Sequence, residues 1–300
     1  MHTLCICFTV LFLFSCEKST TEIESYYLQS YNLSEIQKEE SDNCISETSS
    51  SEYKIYGKTY KYEEAYGNEL SVLSLFKSLE YLQILYAPSL NDASFLSGLK
   101  ELKTIRICMT NIRDFTFMEE LSKLVSVNIN TSPVEKIKFN QNNNIEEFLI
   151  TGSLISDASV FSGLNKNISG FSVLFNKVPV ANLKILNNFK DLTQFSIVAP
   201  ELDLSFLSGL DANIESLWVG GTDNLDLNEI IKFNNTLTQL QIYNIENIDL
   251  TPIDKLENIE SVILFNVKNS VKGTKTQPDN SIFVDLVFNW DLFNWFEYEK

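Results

Sequence analysis

One six-residue phrase recurs along the chain: apolar, two variable, apolar, one variable, apolar. It reads LEYLQI from 79, LKTIRI from 102, LVSVNI from 124, IEEFLI from 145 and ISGFSV from 168. It continues as LTQFSI from 192, IESLWV from 214, LTQLQI from 237 and IESVIL from 259. Successive starts lie 21–24 residues apart, so the chain is built from an internal repeat. Apolar residues at positions 4 and 6 alternate with variable ones, which predicts a short strand with one buried face. The position-4 residues Leu82, Ile105, Val127, Phe148, Leu217 and Leu240 are therefore predicted core. A small or polar residue follows the strand (Ala87, Thr110, Ser132, Ser153, Asn176, Thr222), and then an aliphatic one (Ile112, Val134, Ile155, Leu202). Three near-copies come next in the cycle: NDASFLSGL at 91–99, SDASVFSGL at 156–164 and LDLSFLSGL at 202–210. Their apolar spacing suits a helical or 3-10 turn. One such unit cannot bury its own apolar face, whereas stacked neighbours can.

The phrase, its period near 22 and the I-x-D punctuation resemble the leucine-rich repeat family, and within it the internalin type. The resemblance spans about residues 60–268. It implies an α/β solenoid: a curved stack with parallel strands on the concave face, helical or 3-10 segments on the convex face, and a cap at each end. Two units depart from the pattern. Asn142 stands where the last Leu belongs, and the 168–191 unit is one or two residues long, so local irregularity is expected there.

Outside the repeats the pattern changes. Residues 3–15 form an apolar run of signal-peptide length, too short to span a bilayer. The run ends in Leu13-Phe14-Ser15-Cys16 before a polar stretch, and so resembles a bacterial lipoprotein signal, which implies lipidation of Cys16. An ordinary cleaved secretory signal is the alternative. The expected organisation is a signal peptide over 1–15, a flexible Ser/Glu/Thr-rich tether over 16–51, and an N-terminal cap with a first partial repeat over 52–78. Leucine-rich repeats then cover 79–268, and a C-terminal aromatic cap covers 269–300, entered through a loop over 268–280. The strands of the N-terminal cap are expected around the Gly turn in EYKIYGKTYKY (52–62).

Composition narrows the chemistry. Of the 300 residues 44% are hydrophobic, enough to bury a core, and the formal charge of −17 makes nucleic acid a poor partner. The one histidine, His2, falls in the signal segment, so histidine-dependent nucleophiles and His-ligated metals drop out of the mature chain. No metal or cofactor is expected. Carboxylates are abundant, and paired carboxylates can hydrolyse glycans. Yet Asp92, Asp114, Glu135, Asp157, Asp203 and Asp249 share one slot before the helical turn, with Asn182 in the irregular unit. A residue in that slot is expected to cap the turn. Cys108 is expected to be buried, with a mildly activated thiol beside Arg106 as the alternative.

The variable strand positions face outward. Trp218, Tyr243 and Phe265 come from three successive units, and Tyr81, Tyr86 and Arg106 from two at the other end. These residue types are enriched at interface hot spots, so all six are candidate ligand contacts on the concave face. The competing reading tucks the aromatic residues under neighbouring loops or the C-terminal cap. The function expected is a non-enzymatic, lipid-anchored protein of the cell envelope, at the outer membrane or cell surface. It would be monomeric and bind a neutral or basic protein, or another macromolecule, on its concave face. The alternatives are a structural or self-associating envelope component and, less favoured, a carboxylate-dependent glycan-active enzyme.

Overall fold

The computed structural model describes residues 34–36, 51–55, 58–62, 73–74, 77, 79–84, 87–277 and 283–286. The chain enters through β1 (Ser34–Ile36), β2 (Ser51–Ile55) and β3 (Lys58–Tyr62), which pair antiparallel in the order β1-β3-β2. β2 also pairs antiparallel with β4 (Tyr81–Ile84), so the predicted hairpin closes the first edge of the repeat sheet. β1 falls inside the stretch expected to be a flexible tether; pairing with β3 orders these three residues. The signal segment with Cys16 lies outside the described residues.

Every recurring phrase forms a strand that opens at its third residue. β4 is followed by β5 (Thr104–Cys108), and a short β6 (Asp114–Phe115) precedes β7 (Ser126–Asn130). A short β8 (Lys136–Ile137) precedes β9 (Glu147–Thr151), β10 (Gly170–Leu174), β11 (Gln194–Val198) and β12 (Ser216–Gly220). After β13 (Asn224–Leu225) come two long strands, β14 (Gln239–Asp249) and β15 (Ser261–Val271). The nine repeat strands pair in parallel without a register shift. Leu82, Ile105, Val127, Phe148, Phe171, Phe195, Leu217, Leu240 and Val262 form one cross-strand row of buried side chains.

β15 runs to Val271, into the stretch read from sequence as a loop, because its second half pairs with that of β14, from Ile245↔Val267 to Asp249↔Val271. β16 (Phe283–Leu286) then adds one more parallel strand beside β15. The rest of the expected C-terminal cap lies outside the described residues, apart from the loop up to Gln277.

On the opposite side, 3-10 turns occupy Ser94–Gly98, Thr116–Glu120, Ala158–Gly163, Leu183–Asn188, Leu204–Gly209, Leu227–Phe233 and Thr251–Lys255. Asp92, Asp114, Asp157, Asp203 and Asp249 each accept a hydrogen bond from the backbone N–H two residues on, at 2.8–2.9 Å. Asp226 does the same for Asn228, a cap that the slot pattern missed. Two expected caps fail. Glu135 reaches instead to the Arg113 guanidinium, because its unit forms no 3-10 turn to cap. Asn182 sits at φ 59° and donates its side-chain amide to Asp157; its side chain makes no cap, and its backbone carbonyl accepts from the Ile185 N–H at 3.1 Å.

Both irregular units find other ways to fill the core. The unit with Asn142 has no 3-10 turn. Phe139 is buried there, and buried Asn143 donates to the Gly163 carbonyl at 2.7 Å and accepts from the backbone of Ile145 and Asn165. The longer unit is filled by Phe171, which stacks between Phe148 and Phe195 at ring distances of 5.7 and 5.9 Å. Behind the strands the small polar column is linked between units: the Thr110 and Ser132 hydroxyls lie 2.8 Å apart, and Ser153 donates to Asn176 at 2.6 Å.

In seven units the eighth residue has positive φ, at the end of the strand or midway along β14 and β15: Met109, Thr131, Gly152, Phe175, Gly221, Asn244 and Asn266. In the 192 unit Glu201 takes that conformation, two residues late. Gly and Asn adopt it readily and fill four of the seven positions; Met, Thr and Phe are held there against their preference.

Candidate functional site

Alternation along the strands places positions 3, 5 and 7 of every unit on the face away from the core. Only Arg106 and Glu147 are charged among these side chains, so the concave face is nearly neutral in a strongly acidic chain. About half of its lining is Ser, Thr, Asn and Gln. Glu147 is open to solvent but crowded by the wall around it. That partial desolvation, reinforced by the neighbouring Glu146 carboxylate, pushes its carboxyl above the usual range, against a hydrogen bond from Ser126.

At the C-terminal end of this face the apolar side chains collect. Leu174, Val198, Trp218, Tyr243 and Phe265 form a second buried cluster, separate from the main core, with Leu149, Phe175 and Ile263 packed against it. Tyr243 and Phe265 stack at 4.6 Å with an interplanar angle of 7°. Phe175 meets Tyr243 edge-on at 5.6 Å, and Trp218 lies 6.3 Å from Tyr243. The Tyr243 hydroxyl donates to Gln241 at 2.5 Å.

Gly220 makes this arrangement possible. Its φ is 149°, and a Cβ there would fall 1.9 Å from the Tyr243 carbonyl oxygen, so the backbones of β12 and β14 approach only because no side chain intervenes.

The three candidate rings thus come together as their spacing predicts, but not as free surface. Trp218 and Tyr243 are 8% exposed and Phe265 is 4% exposed, because outward positions on neighbouring strands are close enough for large rings to cover one another. The expectation that Trp218 stands outward as a ligand contact is therefore corrected: it is packed within the cluster. Its Nε1 donor is buried without a hydrogen-bond partner. Leu174 and Val198 complete the cluster; a search for aromatic types passes over them, although they occupy the same seventh position as Tyr243 and Phe265.

The second candidate group is not joined to this one. Tyr81 donates its hydroxyl to Gln83 at 2.8 Å, and Gln83 stands beside Arg106 across β4 and β5. Tyr86 lies outside the described residues. Cys108 is fully buried with the Asn130 amide 3.9 Å from its sulfur, which removes the case for an accessible, activated thiol.

A hollow lies away from the concave face, on the flank of the last units. It encloses about 1070 Å³ and is lined by Asp203, Asp226 and Asp249 together with Asn247, Asn269 and Lys268. All three carboxylates are caps. Hydrogen bonds from Ser205 and Thr251 hold Asp203 and Asp249 below the usual carboxylate range. A glycosidase needs one carboxyl shifted the other way to serve as acid. Among the described residues no group of His, Cys, Asp and Glu is placed to hold a metal ion.

No family model and no curated protein matches this sequence. Solved structures do. Internalin C2 from Listeria monocytogenes superposes with a TM-score of 0.50 at 18% identity, over 66% of this chain and 83% of its own. Internalin F from the same organism gives 0.54 at 19% identity, over 74% of this chain and 66% of its own. Unbroken parallel register, a 3-10 turn in nearly every unit and these superpositions agree: the chain has the internalin-like leucine-rich repeat fold.

Proposed function

We propose that the protein is a non-enzymatic binding module of the cell envelope that takes a protein partner on the concave face of its solenoid. The observation that carries this reading is the outward face of the repeat strands, rich in Ser, Thr, Asn and Gln, with the part-exposed Leu149 and Ile263 standing beside the packed ring cluster. An apolar centre within a hydrogen-bonding rim is the composition of a protein interface. With Glu147 and Arg106 as the face's only charges, a neutral partner is favoured, and a basic side chain can be met at Glu147. The −17 charge disfavours nucleic acid. Asp92, Asp114, Asp157, Asp203, Asp226 and Asp249 are accounted for as turn caps, which supports a binding role over carboxylate catalysis. A lipid on Cys16 would hold the module at the outer membrane or cell surface.

The test starts from the chain lacking its signal segment, used to capture envelope proteins and then titrated with the captured partner. Gln239→Arg places a bulky charge on the exposed concave wall and should weaken binding at least tenfold, about 1.4 kcal/mol. Lys190→Glu on the flank should leave it unchanged. Equal affinities for the two variants would reject the concave face as the site.

One observation favours a structural, self-associating role as the second reading. Among the described residues no strand pairs with the outer edge of Lys268–Val271, and Val271 is 61% exposed. A sizing column run across a concentration series separates the two, since a monomer throughout removes self-association.

A further inference from the structure

We propose that the outer edge of β15 over residues 268–271 is a docking site that takes an extended acidic segment of a protein partner as an added parallel strand. This edge lies off the concave face, and the inference does not rest on the binding reading above.

The edge exists because β14 and β15 run for 11 residues each. Past Asn244 and Asn266 their second halves form, with β13, a small parallel sheet on the flank. β16 covers β15 only from Val262 to Phe265. Beyond that, among the described residues, no strand pairs with the outer side. The Val271 carbonyl accepts from the Leu250 N–H at 2.8 Å, toward β14. Backbone groups alternate in direction along a parallel strand, so the N–H and C=O of Lys268 and Ser270 point to the outer edge. Such a row of peptide groups is a template for another strand. The chain itself turns away here. Asp254 accepts from the N–H groups of Thr274 and Lys275 at 2.8 Å, and so draws the loop after β15 back onto the last 3-10 turn.

The rows that cross the flank sheet specify what the added strand must carry. Glu246 pairs with Lys268 at 3.2 Å, and a carboxylate in the next strand continues that alternation of charge. Asn269 donates to Asn247 at 3.1 Å, and its own side-chain oxygen is the outer end of the amide ladder, where an Asn or Gln fits. Val271 stands beside Asp249 and is 61% exposed, so an apolar side chain suits its outer side. In a chain of charge −17, residues 268–272 hold two lysines, Lys268 and Lys272, and no carboxylate. Charge complementarity therefore favours an acidic occupant. A second copy fits worse, because antiparallel pairing centred on Ser270 sets Lys268 directly across from Lys272.

The probe is a fluorescein-labelled peptide of residues 244–250 with Asp249→Leu, which offers Glu, Asn and Leu in the order of the three rows. Titrated against the full chain by fluorescence polarisation, it should bind several-fold more tightly than the same peptide with Glu246→Lys. In the protein, Glu246→Lys together with Lys268→Glu keeps an ion pair between β14 and β15 and should reverse the preference. Both side chains are exposed, so circular dichroism should be retained. Hydrogen exchange gives a second readout: the Ser270 amide should slow on adding the peptide, while the Val271 amide, already turned toward β14, should not change.

Binding of neither peptide, equal affinities, or a preference that the charge exchange fails to reverse overturns the proposal. Slowed exchange confined to the concave strand positions, or loss of peptide binding in Gln239→Arg, moves the peptide to the concave face and overturns it too. A dimer whose formation the peptide blocks assigns the edge to a second copy, with the same consequence. The concave reading is tested with the captured partner and this edge with the peptide, so failure of one is distinct from failure of the other.

Discussion

Leu240 and Gln239 are adjacent in sequence and opposite in environment. Leu240 is fully buried at the fourth position, while Gln239 is exposed at the third. Leu240→Ala removes buried methylenes and leaves a cavity, and should cost about 2–5 kcal/mol in denaturant melts. Gln239→Ala should stay within about 0.5 kcal/mol. Gln241, the other outward neighbour, is a poorer control because it accepts the Tyr243 hydroxyl. Trp218 is outward-facing and buried at once, so Trp218→Ala should lower the thermal midpoint clearly. An unchanged midpoint would mean that the ring cluster contributes nothing to the fold.

At the scale of the element, the 3-10 turns are too short to hold themselves, and their caps matter accordingly. Hydrogen bonds from the Thr116, Ser159, Ser205 and Thr251 residues hold Asp114, Asp157, Asp203 and Asp249 below the ordinary value of 3.8. A depressed folded-state pKa means stability that is fully present above 3.8 and is lost as pH falls through the lower folded-state values. The urea midpoint should therefore drop between pH 5 and pH 3. Replacing the four by Asn keeps an acceptor but removes the titration, and should flatten that drop. Asp203→Ala, which removes the acceptor too, should cost about 1 kcal/mol at neutral pH.

Ion pairs between units, such as Lys103 with Glu80 and Lys100 with Glu120, are exposed and add little. Lys232 is more specific: its ammonium donates to the carbonyls of Leu207, Ser208 and Leu210 at 2.6–3.2 Å and so closes the end of the preceding turn.

For the whole molecule, stability is a sum over units and their interfaces, with the antiparallel strands β1–β3 closing one end and β16 extending the other. Within the described repeats the distribution of charge follows the same geometry: it sits on flank and turn positions, and among the outward strand positions only Arg106 and Glu147 carry it. The proposed lipid attachment would be a separate property of the N-terminal segment. Cys16→Ala should shift the protein out of the detergent phase in phase partitioning, and unchanged partitioning would sink the lipid anchor.

Periodicity alone determined the strands, their register and the buried row from Leu82 to Val262, because a side chain pointing inward in every unit must be apolar in every unit. The Asp caps were legible for the same reason, since a short carboxylate two residues before a free N–H is a local arrangement. Asp226 stands in the same slot, but the apolar pair of its turn, Ile230-Ile231, comes one residue later than in the other units, which hides the match. The late half of β15, read as a loop, depends on β14 as its partner, and no local pattern in KNSV announces that pairing. The ring cluster needed the tertiary structure most. Sequence places Trp218, Tyr243 and Phe265 on one face, but whether they stand free or cover one another depends on distances between strands. Gly220 set that distance: the lack of a Cβ is visible in the sequence, while the Tyr243 carbonyl it makes room for is visible only in the fold.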